Sequence, residues 1–369
     1  MRRLVFFVDA LPFVAVARLL TGELRRTFSS AKPMAPSIGY SVNLHQEMFA
    51  GRRPDDAGFF GVRNRLEHAV NLPYRKIRRV QAAFRTLAPQ LDRYSRPVWN
   101  RILRWETDFI PLHLVENFAP AIPDLLVTES STALFQRPGW ERAVADLTGA
   151  GGLMADQVAM DRARALASTT RSHLFVALTS PDRIGHKHGC PSPEMDSVAG
   201  RMLSHFLEIM GLMERNGGVE DATLVSDHGM STVNETLRCG IESQVPGCGA
   251  NWLCYYDSLY LKVWSDEQSL IDDARAYLEP LPGRVLTEGD RVRLGVSNPE
   301  FGDLIFVLDE GTAFAPNFFA RRVSKGYHGY VWYGDPHMGL FLSTLRTEQS
   351  TITPLDVFTA LESASSSKR

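Results

Sequence analysis

Three apolar runs of this chain lead straight into side chains that can bind a cation. Residues 4–8, LVFFV, run into Asp9. Residues 173–179, HLFVALT, run into SPDRIGHKHG, where three residues separate Asp182 from His186. Residues 222–226, ATLVS, run into Asp227 and His228. A fourth candidate, His328, sits in KGYHGY next to glycines, which let backbone approach a site closely. Each motif alone is ordinary: a carboxylate after a strand often caps the next helix, and a lone histidine is usually structural. Together, three aspartates and three histidines make two sets of mixed N/O ligands suited to zinc or another borderline divalent ion. Crowded carboxylates without cations would raise one another's pKa, a conflict that two divalent ions remove.

Such a centre needs a nucleophile. Residues 35–60, APSIGYSVNLHQEMFAGRRPDDAGFF, place Ser37 and Ser41 before a short helix predicted to close at Gly51. A hydroxyl at a helix N-terminus meets backbone N–H groups and the positive end of the dipole, which favour a phosphate and an alkoxide. A serine there is equally an ordinary helix cap, and the stretch by itself does not choose between the two residues.

The elements that must position these residues are strands alternating with helices, which predicts an α/β fold with a mostly parallel central sheet covered on both faces. The strand candidates are 4–8, 173–179, 222–226, 258–264 and 303–308. Between the second and third, Val198, Met202, Leu203, Phe206, Leu207 and Met210 recur at helical spacing, and Asn216-Gly217-Gly218 stops the helix. In such a sheet ligands gather at the carboxyl edge, where the candidate residues fall.

The chain has 369 residues, 44% of them hydrophobic, and a net charge of -2, an ordinary globular composition. It is read as one domain over 1–369, with an inserted basic helical cap at 62–125 and a flexible tail at 363–369. From Arg63 to Arg104 ten arginines and one lysine face only Glu67 and Asp92, a local charge of +9 that leaves -11 elsewhere. This face is either simply solvated or attracts polyanions; no nucleic-acid motif accompanies it, so no nucleic-acid partner is expected. Residues 1–20 resemble a signal peptide, but Asp9 and Pro12 interrupt the apolar core and Arg18 follows, so a first strand and a cytoplasmic location are expected. Cys190, Cys239, Cys248 and Cys254 lack CxxC spacing; they are expected as free thiols, with a Cys239–Cys248 bridge only in an oxidising compartment.

The motifs FVDALP, GYS with MFAGRRPDDAGFF, PDRIGHKHG, LVSDHGM and GYHGY occur in the order of the alkaline phosphatase superfamily. Within it the chain resembles the type I phosphodiesterase/nucleotide pyrophosphatase family, from residue 4 to about residue 362. The resemblance implies that Asp182, His186 and His328 hold one metal and that Asp9, Asp227 and His228 hold the second, both zinc, with manganese as the alternative. It also implies Ser41 as nucleophile, with Ser37 as fallback, and His188 beside the substrate or outside the ligand shell. His45 and His337 are left as structural. Ala57 and Val62 depart from the family, which often has His and a phosphoryl-stabilising Asn there; Asn43 or Asn64 are the candidates to replace that Asn. The sulfatase signature CxPxR is absent.

The expected function is a two-metal phosphodiesterase or nucleotide pyrophosphatase acting through a phosphoseryl intermediate on a small phosphate ester, such as a nucleotide or nucleotide sugar. A phosphomonoesterase or phosphonate hydrolase on the same site is the alternative within enzymes. A degenerate anion-binding member, and a basic segment making peripheral contact with lipid head groups, are rivals from other classes.

Overall fold

The apolar runs become the middle of a six-stranded sheet. Its strands are β1 (Arg2–Val8), β2 (Ser30–Met34), β3 (Trp140–Val144), β4 (His173–Leu178), β5 (Val219–Val225) and β6 (Gly339–Ser343). Their spatial order is β2-β6-β5-β1-β4-β3. Strands β5, β1, β4 and β3 are mutually parallel, and β6 runs antiparallel between β5 and β2. The computed structural model describes residues 2–61, 133–145, 153–169, 171–320 and 322–366, with scattered positions between 62 and 132.

β1 is buried along its whole length, which explains its unbroken run of apolar residues. Because side chains alternate across a strand, Leu4, Phe6 and Val8 enter one core and Val5 and Phe7 the other. The first core is completed by Leu153–Thr169 and Pro193–Arg215, through Met160, Ala163, Met202 and Phe206. The second is completed by Ser41–Ala50 and Pro354–Ser366, through Met48, Phe49, Val357 and Leu361. In chain order those four helices are α1 (Ser41–Ala50), α2 (Leu153–Thr169), α4 (Pro193–Arg215) and α5 (Pro354–Ser366), and a further helix, α3 (Ser180–His188), follows β4. The periodic apolar residues of α4 pack as its spacing predicts, after an N-cap in which the Ser192 side chain accepts from Met195 N. α5 reaches into the segment expected as a tail.

The chain forms two compact units, one of residues 1–57, 123–233 and 324–369, the other of residues 58–122 and 234–323. The second has its own four-stranded sheet, in the order 252–256, 260–265, 304–308, 283–285, and its own core around Trp252, Tyr255, Trp264 and Phe306. All pairings within that four-stranded sheet are antiparallel. The strands predicted at 258–264 and 303–308 therefore exist but leave the parallel sheet. Only residues 257–259 separate Trp252–Tyr256 from Tyr260–Ser265, a connection too short for the crossover that parallel neighbours require. The cap expected at 62–125, with its arginines, lies almost wholly outside the described residues.

All four cysteines are free, and Cys248 Sγ lies 3.7 Å from Cys254 Sγ. Among the described residues no helix is long and apolar enough to cross a membrane.

Candidate metal centre

The three central strands β5, β1 and β4 end side by side, and their last residues open the site. Val8 of β1 pairs with Leu178 of β4, and Asp9 N donates to Leu178 O at 2.9 Å, so Asp9 is the first residue past the sheet edge. The chain then turns sharply through Ala10, whose φ of 58° is left-handed and costs an L-residue about 1–2 kcal/mol. That turn aims two backbone donors at the neighbouring strand's end: Ala10 N reaches Asp227 Oδ1 at 3.3 Å and Leu11 N reaches Ser226 Oγ at 2.7 Å. Ser226 Oγ in turn donates to His228 O at 2.8 Å. The Ser-Asp-His sequence after β5 is thus clamped at each residue.

Gly229 lets a second loop close on this turn. A Cβ there would stand 2.1 Å from Pro336 O, and Gly229 N donates to His337 O at 2.7 Å. Only glycine permits that approach. After β4, Asp156 of α2 accepts from Thr179 N at 2.8 Å and Ser180 N at 3.1 Å, fixing the start of α3. α3 then presents Asp182 and His186 one turn apart, with His186 Nε2 3.3 Å from Asp182 Oδ1.

The seven principal residues predicted from sequence converge. Asp9, Asp227 and His228 offer ligand atoms within 4.8 Å of one another, and so do Asp182, His228 and His328. His228 belongs to both groups. His186 stands beside the second group, its ring centroid 5.4 Å from that of His328. Ser41, the first residue of α1, brings Oγ to 3.0 Å from His228 Nε2 and 3.4 Å from Asp9 Oδ1. Ser37 instead donates to buried Glu47. His188 pairs with Glu194 at 3.3 Å, and Asn43 is buried in α1. Asn64 lies in a short strand, Arg63–Arg65, and its side chain is outside the described residues.

The donor set fits divalent cations. His228 Nδ1 bonds Gly229 O at 2.7 Å and His186 Nδ1 bonds Gly326 O at 2.8 Å. A carbonyl only accepts, so each Nδ1 carries the proton and each Nε2 turns a lone pair toward carboxylates. Among the described residues, Asp182 Oδ1 and His328 Nδ1 are buried with no hydrogen-bond partner. The rings of His228 and His328 stack with centroids 3.7 Å apart and planes 6° from parallel. Acceptors facing acceptors in a buried pocket require a positive charge between them.

Titration behaviour points the same way. Burial, then the charges of Asp227 and Asp182, hold the Asp9 carboxyl well above its usual range. Burial also opposes ionisation of Asp227, but the charge and hydrogen bond of His228, with help from His45, hold it well below. Burial disfavours a charged His228, yet attraction to Asp227 wins and lifts its pKa to about 9. Burial, then the charges of His228 and His186, push His328 well below an ordinary imidazole.

Sequence reasoning passed over three contributors: Ser226, Asp156 and His45. Ser226 lay in the quoted motif and gave a signal through its place between a strand end and two candidate ligands. Asp156 gave none, because a helix residue capping another helix leaves no local pattern. From sequence His45 reads as structural, although it falls one turn after Ser41.

A mostly parallel sheet whose central strands end in paired acidic and imidazole groups has the α/β fold that the resemblance to the alkaline phosphatase superfamily implies. The family follows from the sequence: residues 48–245, more than half of the chain, match type I phosphodiesterase / nucleotide pyrophosphatase, and the chain belongs to that family of phosphate-ester hydrolases. The fold is similar to murine ectonucleotide pyrophosphatase/phosphodiesterase 5, with a TM-score of 0.64 and 16% identity over 99% of this chain and 95% of that one. The inactive form of that mouse protein in complex with AMP gives 0.60 and 14% over 98% and 95%. Phosphonoacetate hydrolase from Sinorhizobium meliloti, in complex with phosphonoformate, gives 0.60 and 15% over 99% and 96%. No curated protein matches by sequence.

Proposed function

We propose that the protein is a two-metal phosphodiesterase or nucleotide pyrophosphatase that works through a covalent phosphoseryl intermediate on Ser41. The observation that carries this reading is the convergence of Ser41 Oγ with His228 Nε2 and Asp9 Oδ1, at 3.0 and 3.4 Å, beside two groups of candidate ligands. Asp182, His186 and His328 would hold one ion, and Asp9, Asp227 and His228 the other. Zinc suits this mixed N/O donor set, with manganese second. Bound there, two ions supply charge to offset the nonbridging oxygens and to favour an alkoxide at neutral pH.

The protein's own residues do the rest. The N-terminus of α1 holds the Ser41 hydroxyl at a positive dipole end, and Ser41 Oγ attacks phosphorus in line. The leaving group departs opposite, and water releases the phosphoryl group from Oγ in a second inversion, so phosphorus keeps its configuration. Asn43 and His188 are proposed substrate contacts, and Asn64 a third; a nucleotide or nucleotide sugar is the proposed substrate class. The four free cysteines support a cytoplasmic setting.

Similarity of fold over 96% of phosphonoacetate hydrolase supports a second reading, a phosphonate hydrolase on the same site. Turnover of bis-p-nitrophenyl phosphate, p-nitrophenyl phosphate and phosphonoacetate, each with and without EDTA, separates the two. The leading reading predicts EDTA-sensitive turnover of the diester above the others. A preference for phosphonoacetate selects the second, and EDTA-resistant turnover removes the metal from both.

A further inference from the structure

His45 is buried in α1, one turn beyond Ser41, and its Nε2 lies 3.5 Å from Asp227 Oδ2. Its ring meets Phe7 edge-on with centroids 4.8 Å apart, and lies 6.1 Å from Phe49. Phe7 belongs to β1, two residues before Asp9. One imidazole therefore touches the strand that carries Asp9, the carboxylate after β5 and the helix that carries Ser41. Asp227 Oδ1 takes the Ala10 N–H, which leaves Oδ2 facing His45 on one side and His228 Nε2, at 3.2 Å, on the other.

The geometry points to His45 as a positioning residue: it fixes the orientation of Asp227 for the second cation and ties that carboxylate to the helix bearing Ser41. This inference rests on the two-metal reading above. Imidazole N–H groups that orient ligating carboxylates typically change metal affinity 10- to 100-fold when removed. A packing role, by contrast, would need only the ring between Phe7 and Phe49.

Two substitutions separate these roles. His45→Phe keeps an aromatic ring and removes the nitrogen; His45→Gln keeps an N–H donor and removes the ring. Zinc affinity of the purified full chain is measured by competition with a chromophoric chelator, with the melting temperature followed in parallel. Positioning predicts that His45→Phe melts near wild type but binds one of two zinc ions roughly 10- to 100-fold more weakly. His45→Gln should melt lower yet hold both ions within a few-fold of wild type. The reverse order of affinities, or wild-type binding by His45→Phe, overturns the positioning role and leaves the two-metal reading standing. A wild-type protein that binds fewer than two zinc or manganese ions overturns that reading, and the role of His45 with it.

Discussion

The two ends of β1 treat buried charge in opposite ways. At the amino end, the Arg2 guanidinium donates to Asn216 O at 2.8 Å, to Met213 O and to Ala167 O, carbonyls at the carboxyl ends of α4 and α2. Arg3 beside it donates to Leu361 O at 2.7 Å and pairs with Asp221 at 3.2 Å. Helix C-termini are where cations belong, and the protein itself satisfies the charge. At the carboxyl end, about seven residues on, Asp9 meets two more aspartates and imidazole lone pairs. A buried charge that the fold neutralises is structural; one that it leaves open awaits a ligand.

Substitutions can sharpen or break that contrast. The largest effect is expected for Ser41→Ala, which should cut turnover at least about 1000-fold while metal content, by elemental analysis, stays at wild type. A variant that keeps its activity would remove the serine from the chemistry. At the other end of the strand, Asp221→Ala should cost about 3 kcal/mol in urea unfolding, because it removes the counter-charge of a buried arginine. The same variant should bind metal as wild type does; a loss of metal would show that the two ends are not independent.

Glu47 in α1 offers an intermediate case. Burial lifts its pKa to about 7 from an ordinary 4.5, against the opposing hydrogen bond from Ser37. Between those values the folded protein holds a proton that the unfolded chain releases. Stability should therefore fall by roughly 3 kcal/mol as pH rises from about 4.5 to 7, and Glu47→Gln should flatten that slope in denaturation across the range. The smallest effect is expected for His337→Ala. His337 Nδ1 bonds Ser231 Oγ at 2.9 Å, and its Nε2 accepts from Gly329 N at 3.2 Å. Loss of both should cost about 2 kcal/mol in melting experiments. If metal affinity fell more than stability, His337 would belong with the open end rather than the satisfied one.

The open end was also the legible one. β1, β4 and the second half of β5 are apolar runs because both faces are covered, and each is followed within four residues by a side chain with metal-binding chemistry, so the sequence displays the site in order. The edge of the sheet was harder. β2, Ser30–Met34, contains Lys32 and Pro33, which suit an edge strand but break the apolar pattern. β3, Trp140–Val144, carries Glu141 and Arg142 for a similar reason. For 260–265 and 304–308 composition revealed a strand but not its direction, which depends on connection length rather than on the run itself. His45 reads as structural from sequence because its neighbours Phe7 and Asp227 are distant along the chain and only the fold brings them to one ring.

Asp9 and His328 are 319 positions apart, yet each belongs to a cluster that includes His228. A single cut in the backbone anywhere between residues 228 and 328 would therefore part Asp9, Asp182 and Asp227 from His328, with every strand from β1 to β5 left on the larger piece.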